Sequence, residues 1–94
     1  MTKANKFYIA ERFAKGFANH RRVEILFLIE QKTEQSVGDI ANTLKINFVT
    51  VSDHIRKLAQ SGIVMKRHEG NNVRHALTEK GKITVRFLKD VLSK

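Results

Sequence analysis

The 94 residues contain no cysteine and no proline, and acidic side chains are scarce, 9 against 18 basic. Without cysteine, a disulfide scaffold, a thiol nucleophile and any thiolate metal site are excluded, and the reducing cytoplasm is the natural setting. With no proline, low-complexity tract, repeat or linker, the chain reads as consecutive short elements of one domain, residues 1–94. No run approaches the roughly 18 apolar residues that a membrane-spanning helix needs. The opening M-T-K-A-N-K has no apolar run of signal type, so no membrane partner is expected. A hydrophobic fraction of 41% supports a modest core.

The net charge is +9. Residues 45–75 carry six basic and two acidic side chains, whereas residues 1–44 carry seven and five. The excess therefore sits in the second half, where three of the four histidines also lie. A positive surface of this kind attracts polyanions, of which nucleic acid is the commonest. Charge by itself does not separate that reading from ordinary solubility.

From Phe7 to Ala18, the residues Phe7, Ala10, Phe13, Ala14, Phe17 and Ala18 fall on one broad arc at helical spacing. Asn19 caps a second helix, apolar almost all round through Val23 and Ile25 to Ile29, which belongs at the centre of the core. Polar K-T-E-Q interrupts, and Ser36-x-x-Asp39 then starts a short helix that buries Val37, Ile40, Ala41 and Leu44. After a turn at Lys45 and Ile46, Asn47 caps a helix with the inward stripe Val51, Ile55 and Leu58, and Gly62 ends it in the left-handed conformation. Two short β-inclined runs around Gly70-Asn71-Asn72 read as a hairpin, and Thr78 caps a last helix.

Two short helices joined by a tight turn, the second polar on its free face and followed by a basic hairpin, make a winged helix-turn-helix. The fold class is α+β and mostly helical: four core helices, a two-stranded wing and a C-terminal helix. Opposite the Val51, Ile55 and Leu58 stripe lie Val49, Asp53, Arg56 and Gln60, flanked by Thr50, Ser52 and Lys57. That face suits the major groove of duplex DNA, with Asn47 at its leading end. Arg56 is placed to pair with guanine, Asp53 to accept from cytosine, and Val49 or the Thr50 methyl to touch a thymine methyl. An ion pair of Asp53 with Arg56 or Lys57 is an equal alternative. Phe48, nearer the core side, reads as packing. Lys66, Arg67 and Arg74 on the hairpin, with Asn71 and Asn72 at its tip, suit the phosphate backbone, where charge and reach suffice.

The segments A-N-H-R-R-V-E-I-L at 18–26, S-V-G-D-I-A at 36–41, V-T-V-S-D-H-I-R-K-L at 49–58, S-G-I-V at 61–64 and H-E-G-N-N-V-R-H-A-L-T at 68–78 resemble the ArsR/SmtB family. These are small dimeric winged-helix repressors of transcription. The resemblance covers nearly the whole chain in order. It implies a recognition helix from Asn47 to Arg56 and a wing from Lys66 to Arg74, with the residues around Val49, Ser52 and Asp53 facing the bases.

Three departures matter. Ser36-Val37-Gly38-Asp39 stands where metal-sensing members carry Cys-x-Cys-Asp, and the last helix lacks the histidines of the family's other metal site. No metal or cofactor is therefore expected. His20 lies at a helix start, and His54, His68 and His75 have no ligand partners at suitable spacing, so they read as exposed or close to DNA. Phe48, Val49 and Asp53 also replace residues that are usually polar or basic, which leaves the operator sequence unread.

The last helix carries two apolar stripes, Ile83, Phe87 and Val91 on one side and Val85, Leu88 and Leu92 on another. A terminal helix of a lone domain needs one. The second stripe, with Phe7 and Phe13 from the first helix, is expected to form a two-fold interface with another copy. Such a dimer sets its recognition helices about 34–36 Å apart and calls for an inverted-repeat site.

The leading expectation is a dimeric, sequence-specific DNA-binding regulator of transcription, a repressor in the cytoplasm, with its effector left open. The alternatives are a DNA-organising or partition protein and a winged-helix protein-interaction module without DNA binding. An enzyme is not expected, because no phosphate-cradling glycine loop and no assembled nucleophile set is present.

Overall fold

The computed structural model describes residues 5–94, so Met1 to Ala4 of the opening segment lie outside it. Five helices and one hairpin follow in the order α1 (Lys6–Phe17), α2 (His20–Gln31), α3 (Val37–Leu44), α4 (Phe48–Gln60), β1 (Val64–Glu69), β2 (Asn72–Leu77) and α5 (Glu79–Leu92). This is a winged helix-turn-helix.

Local chemistry places the helix starts. Asn5, Asn19, Ser36, Asn47 and Thr78 each accept backbone N–H groups that the first turn cannot satisfy internally. At α3 the arrangement is reciprocal. The Ser36 hydroxyl accepts from the Asp39 amide at 3.0 Å, and the Asp39 carboxylate accepts from the Ser36 amide at 3.1 Å. Lys45 takes the left-handed conformation, φ 56°, in the tight turn from α3 to α4. α4 stops at Gly62, φ +74°, where the Gly62 amide donates to the Ala59 carbonyl and the Ile63 amide to the Leu58 carbonyl.

The core is aliphatic. Ile25, Leu26 and Ile29 of α2 sit at its centre, enclosed by Ile40 and Ala41 of α3, Val51, Ile55 and Leu58 of α4, Ile63, Val64 and Val85. α1 contributes no fully buried apolar side chain. Its Phe13 and Phe17 pack edge to face at 5.7 Å between centroids and cover the core from outside, half-buried. Gly16 is the buried residue of α1, because a Cβ there would collide with the Ser61 side chain at the end of α4.

The hairpin is antiparallel, pairing Val64 with Leu77 and Lys66 with His75 out to Glu69 with Asn72. Its loop is Gly70-Asn71, with Gly70 at φ +61° as a two-residue turn of mirror type favours, so Asn72 belongs to β2 instead of the turn. The polar segment after α2, read as a plain interruption, is a short partner for the wing. Gln35 bridges His75, and the Glu34 amide donates to the His75 carbonyl at 2.8 Å.

α5 is rotated relative to expectation. Val85 is 1% exposed within its own domain and Leu88 is half-buried, so neither belongs to an open stripe. The open stripe is Ile83, Phe87 and Val91, with Leu92 beside it, each more than half exposed. The inward face is Gly81, Thr84, Val85 and Leu88. Gly81 decides the rotation, since a Cβ there would lie 2.2 Å from the Ile63 carbonyl oxygen. Thr84 tolerates burial because its hydroxyl donates to the Lys80 carbonyl at 2.7 Å.

Candidate nucleic-acid interface

α4 buries one stripe and turns the opposite face to solvent. Val49, Thr50, Ser52 and Arg56 are exposed there, and Asp53 and Lys57 are half-buried. Asn47 spends its carboxamide oxygen on the helix itself, accepting from the Val49 amide at 2.8 Å and the Thr50 amide at 3.3 Å. Asp53 is held in an ion-pair fork by Arg56 at 2.5 Å and Lys57 at 3.3 Å. Those two cations, Arg56 first, keep the Asp53 carboxyl below its usual pKa. In the free chain, then, the ion-pair alternative is the arrangement adopted.

Phe48 differs from its sequence reading: it is 57% exposed and does not pack into the core. Its position on the wheel is close to the inward stripe, but it opens the first turn of α4 and its ring stays largely in solvent.

The wing presents Lys66, Arg67, Asn71 and Asn72 to solvent, with Arg74 half-buried. Arg67 pairs with Glu34 at 3.0 Å, and Arg74 donates to the Glu34 carbonyl at 3.2 Å while approaching Glu69 at 3.7 Å. Lys66 has no acidic partner among the described residues. The candidate cations therefore lie on one hairpin, which β1 packs beside α4, but two of the three also brace the hairpin's base.

That base holds a buried polar cluster that periodicity does not reveal. His75, expected to be exposed or near DNA, is 1% exposed. Its Nδ1 donates to the Gln35 carbonyl at 2.7 Å, so the neutral ring carries its proton there, and Nε2 is buried without a partner among the described residues. Burial lowers the His75 pKa. Gln35, itself 3% exposed, donates to the Leu28 and Lys32 carbonyls at the end of α2. His54 is also tied in: its Nδ1 accepts from Arg22 Nε at 3.1 Å, and burial ahead of the nearby cations depresses its pKa. The Arg22 guanidinium reaches the Gly16 carbonyl at 3.2 Å as well, linking α1, α2 and α4. Among the described residues, no three His, Asp or Glu side chains are grouped to hold a metal ion.

Of the expected interface residues, Phe7 and Leu92 are each 72% exposed, Phe13 is half-buried against the core, and Val85 and Leu88 are occupied as described above. Tyr8 and Ile9 are exposed on α1 as well, at 55% and 52%. Two apolar helix faces thus remain open, one on α1 and one on α5.

The sequence profile of the bacterial regulatory protein arsR family matches residues 19–66, which run from the cap of α2 into the first half of β1. The chain belongs to the arsR family. Its sequence is 32% identical over 79 residues to a cadmium resistance transcriptional regulatory protein CadC homolog of Staphylococcus aureus, covering 84% of this chain and 64% of that protein. The chain therefore spans less than two thirds of that relative. Among solved structures it is similar to HlyU from Vibrio cholerae, TM-score 0.82 at 26% identity, over 98% of this chain and 100% of that one. It is also similar to the homodimeric winged helix-turn-helix DNA-binding domain of a possible ArsR-family regulator from Mycobacterium bovis, TM-score 0.80 at 26% identity, over 99% and 90% of the two chains. The family profile ends at Lys66, and the CadC-homolog alignment, over 84% of the chain, and the structural neighbours extend the likeness beyond it.

No helix of the described residues is long and apolar enough to cross a membrane.

Proposed function

We propose that this arsR-family chain is a dimeric, sequence-specific regulator that binds double-stranded DNA and represses transcription by occluding a promoter, in the cytoplasm. α4 enters the major groove with Val49, Thr50, Ser52, Asp53, Arg56 and Lys57 toward the bases. Lys66, Arg67, Arg74, Asn71 and Asn72 of the wing meet phosphates. The observation that carries this reading is the solvent-facing side of α4, capped by Asn47 and left uncovered by the rest of the domain, beside a cationic hairpin in a chain of net charge +9. It is a binding function, with no reaction assigned to any residue.

The second copy is paired through the open faces of α1 and α5, with Phe7, Ile83, Phe87, Val91 and Leu92 in the contact. Two-fold pairing there sets two α4 helices against an inverted repeat. In the bound state the Asp53 fork opens or reorients, because Arg56 cannot serve both Asp53 and a guanine edge in full.

Selection of bound duplexes from a random pool, followed by footprinting of the winner, tests the reading. One or two discrete protected sites with two-fold symmetry are expected, with affinity falling steeply between about 50 and 200 mM salt as phosphate counterions are released. Affinity indifferent to salt, or protection that spreads along the duplex with concentration, would sink it.

A further inference from the structure

Phe48 and Val49 open α4, and both stand out from the surface, 57% and 72% exposed. The inward stripe of the helix is complete without them, since Val51, Ile55 and Leu58 already fill it. A single exposed apolar residue is ordinary. Two adjacent ones at the leading end of a helix whose other outward groups are polar form a patch that the fold does not use.

The capping oxygen and the charged groups nearby are engaged. The Asn47 carboxamide oxygen is taken by two backbone amides, and the Arg56 guanidinium is taken by Asp53, which Lys57 also holds. Beside the small hydroxyls of Thr50 and Ser52, the leading end of α4 presents hydrocarbon: the Phe48 ring, the Val49 methyls and the Thr50 methyl. Among the base edges of the major groove, the apolar group is the C5 methyl of thymine.

Resting on the DNA-binding reading above, we infer that Phe48 and Val49 read thymine methyl groups, so that A·T pairs are selected at the half-site positions beneath the head of α4. The helix selects there by apolar contact, and the charged pair one to two turns further along contributes less.

The test uses the full chain and the best duplex recovered from a random pool, synthesised with deoxyuridine in place of each half-site thymidine in turn. Uracil keeps the pairing and the donor and acceptor pattern and lacks only the methyl. Each contacted methyl is expected to be worth about fourfold in affinity. Phe48→Ala and Val49→Ala, checked for intact fold by circular dichroism, are expected to shrink that ratio toward one at their own positions. Equal affinity of the unaltered protein for thymine and uracil duplexes at every position overturns the inference and leaves DNA binding standing. A uracil penalty undiminished in both variants also overturns it, since the penalty would then belong to the DNA. Failure to bind any duplex overturns both readings.

Discussion

α4 and α5 are helices of nearly equal length, 13 and 14 residues, yet they hide their loyalties differently. α4 turns its aliphatic stripe inward and its polar residues outward, so hydrophobic spacing identifies its buried face directly. α5 does the reverse: its inward face includes Gly81 and Thr84, and its outward face carries Ile83, Phe87 and Val91. The greasier side of a helix faces its own core only when no second surface competes for it. In α5 the smallest residues go inward because the helix approaches the Ile63 carbonyl closely, and Ile83, Phe87 and Val91 are left in solvent, where the proposed second copy would cover them.

The contrast can be broken at several points. The largest effect is expected from Ile55→Ala, which empties a fully buried site on α4 and costs about 2–5 kcal/mol in urea unfolding. Phe87→Ala on dilute, monomeric protein should cost far less, and equal losses would erase the distinction between the two helices. Next comes Phe87→Glu, which puts a charge into the open stripe of α5. It is expected to weaken self-association by roughly thirtyfold or more, with the monomer still folded. Sedimentation showing an unchanged dimer would move the interface away from α5.

Gly81→Ala sharpens the account of the rotation. An alanine normally strengthens a helix by about 1 kcal/mol over glycine, but here the added carbon meets a backbone oxygen and a loss of about 1–3 kcal/mol is expected. A gain in melting temperature would show that α5 is free to turn. The smallest effect concerns acid. Burial depresses the folded-state pKa of His75 and of His54 below the ordinary 6.5, so the unfolded chain takes up protons first. Stability is then fully present above that value and lost as the pH falls from 6.5 through the folded pKa values; Asp39 and Asp53, each held below 3.8, add a loss at lower pH. Replacing His75 by Gln should flatten the upper part of that acid limb in pH-dependent unfolding, and an unchanged limb would assign it elsewhere.

The helix starts were legible because capping is a matter of three or four adjacent residues. Asn19, Ser36 with Asp39, Asn47 and Thr78 all act as their local sequence suggests, and so does Gly62. The stripe of α4 was legible for the same reason of short range. Phe48 was not, since its wheel position lies near the core side and yet, in the first turn of α4, the ring is more than half exposed. His75 was not either: its burial depends on Gln35, forty residues away, closing over the base of the wing. The family resemblance located the candidate interface, but the pairing of Asp53 with Arg56 and the bracing of Arg67 and Arg74 by Glu34 depend on side-chain positions that spacing leaves open.

By itself the order of residues determined where α2 to α5 begin, which face of α4 is aliphatic, and where positive charge accumulates, because all three follow from neighbours along the chain. Only the tertiary structure decided the rotation of α5, the exposure of Phe48 and the burial of His75. Those depend on how closely distant backbones approach, and contact distance between segments far apart in sequence is fixed by packing, not by composition or period.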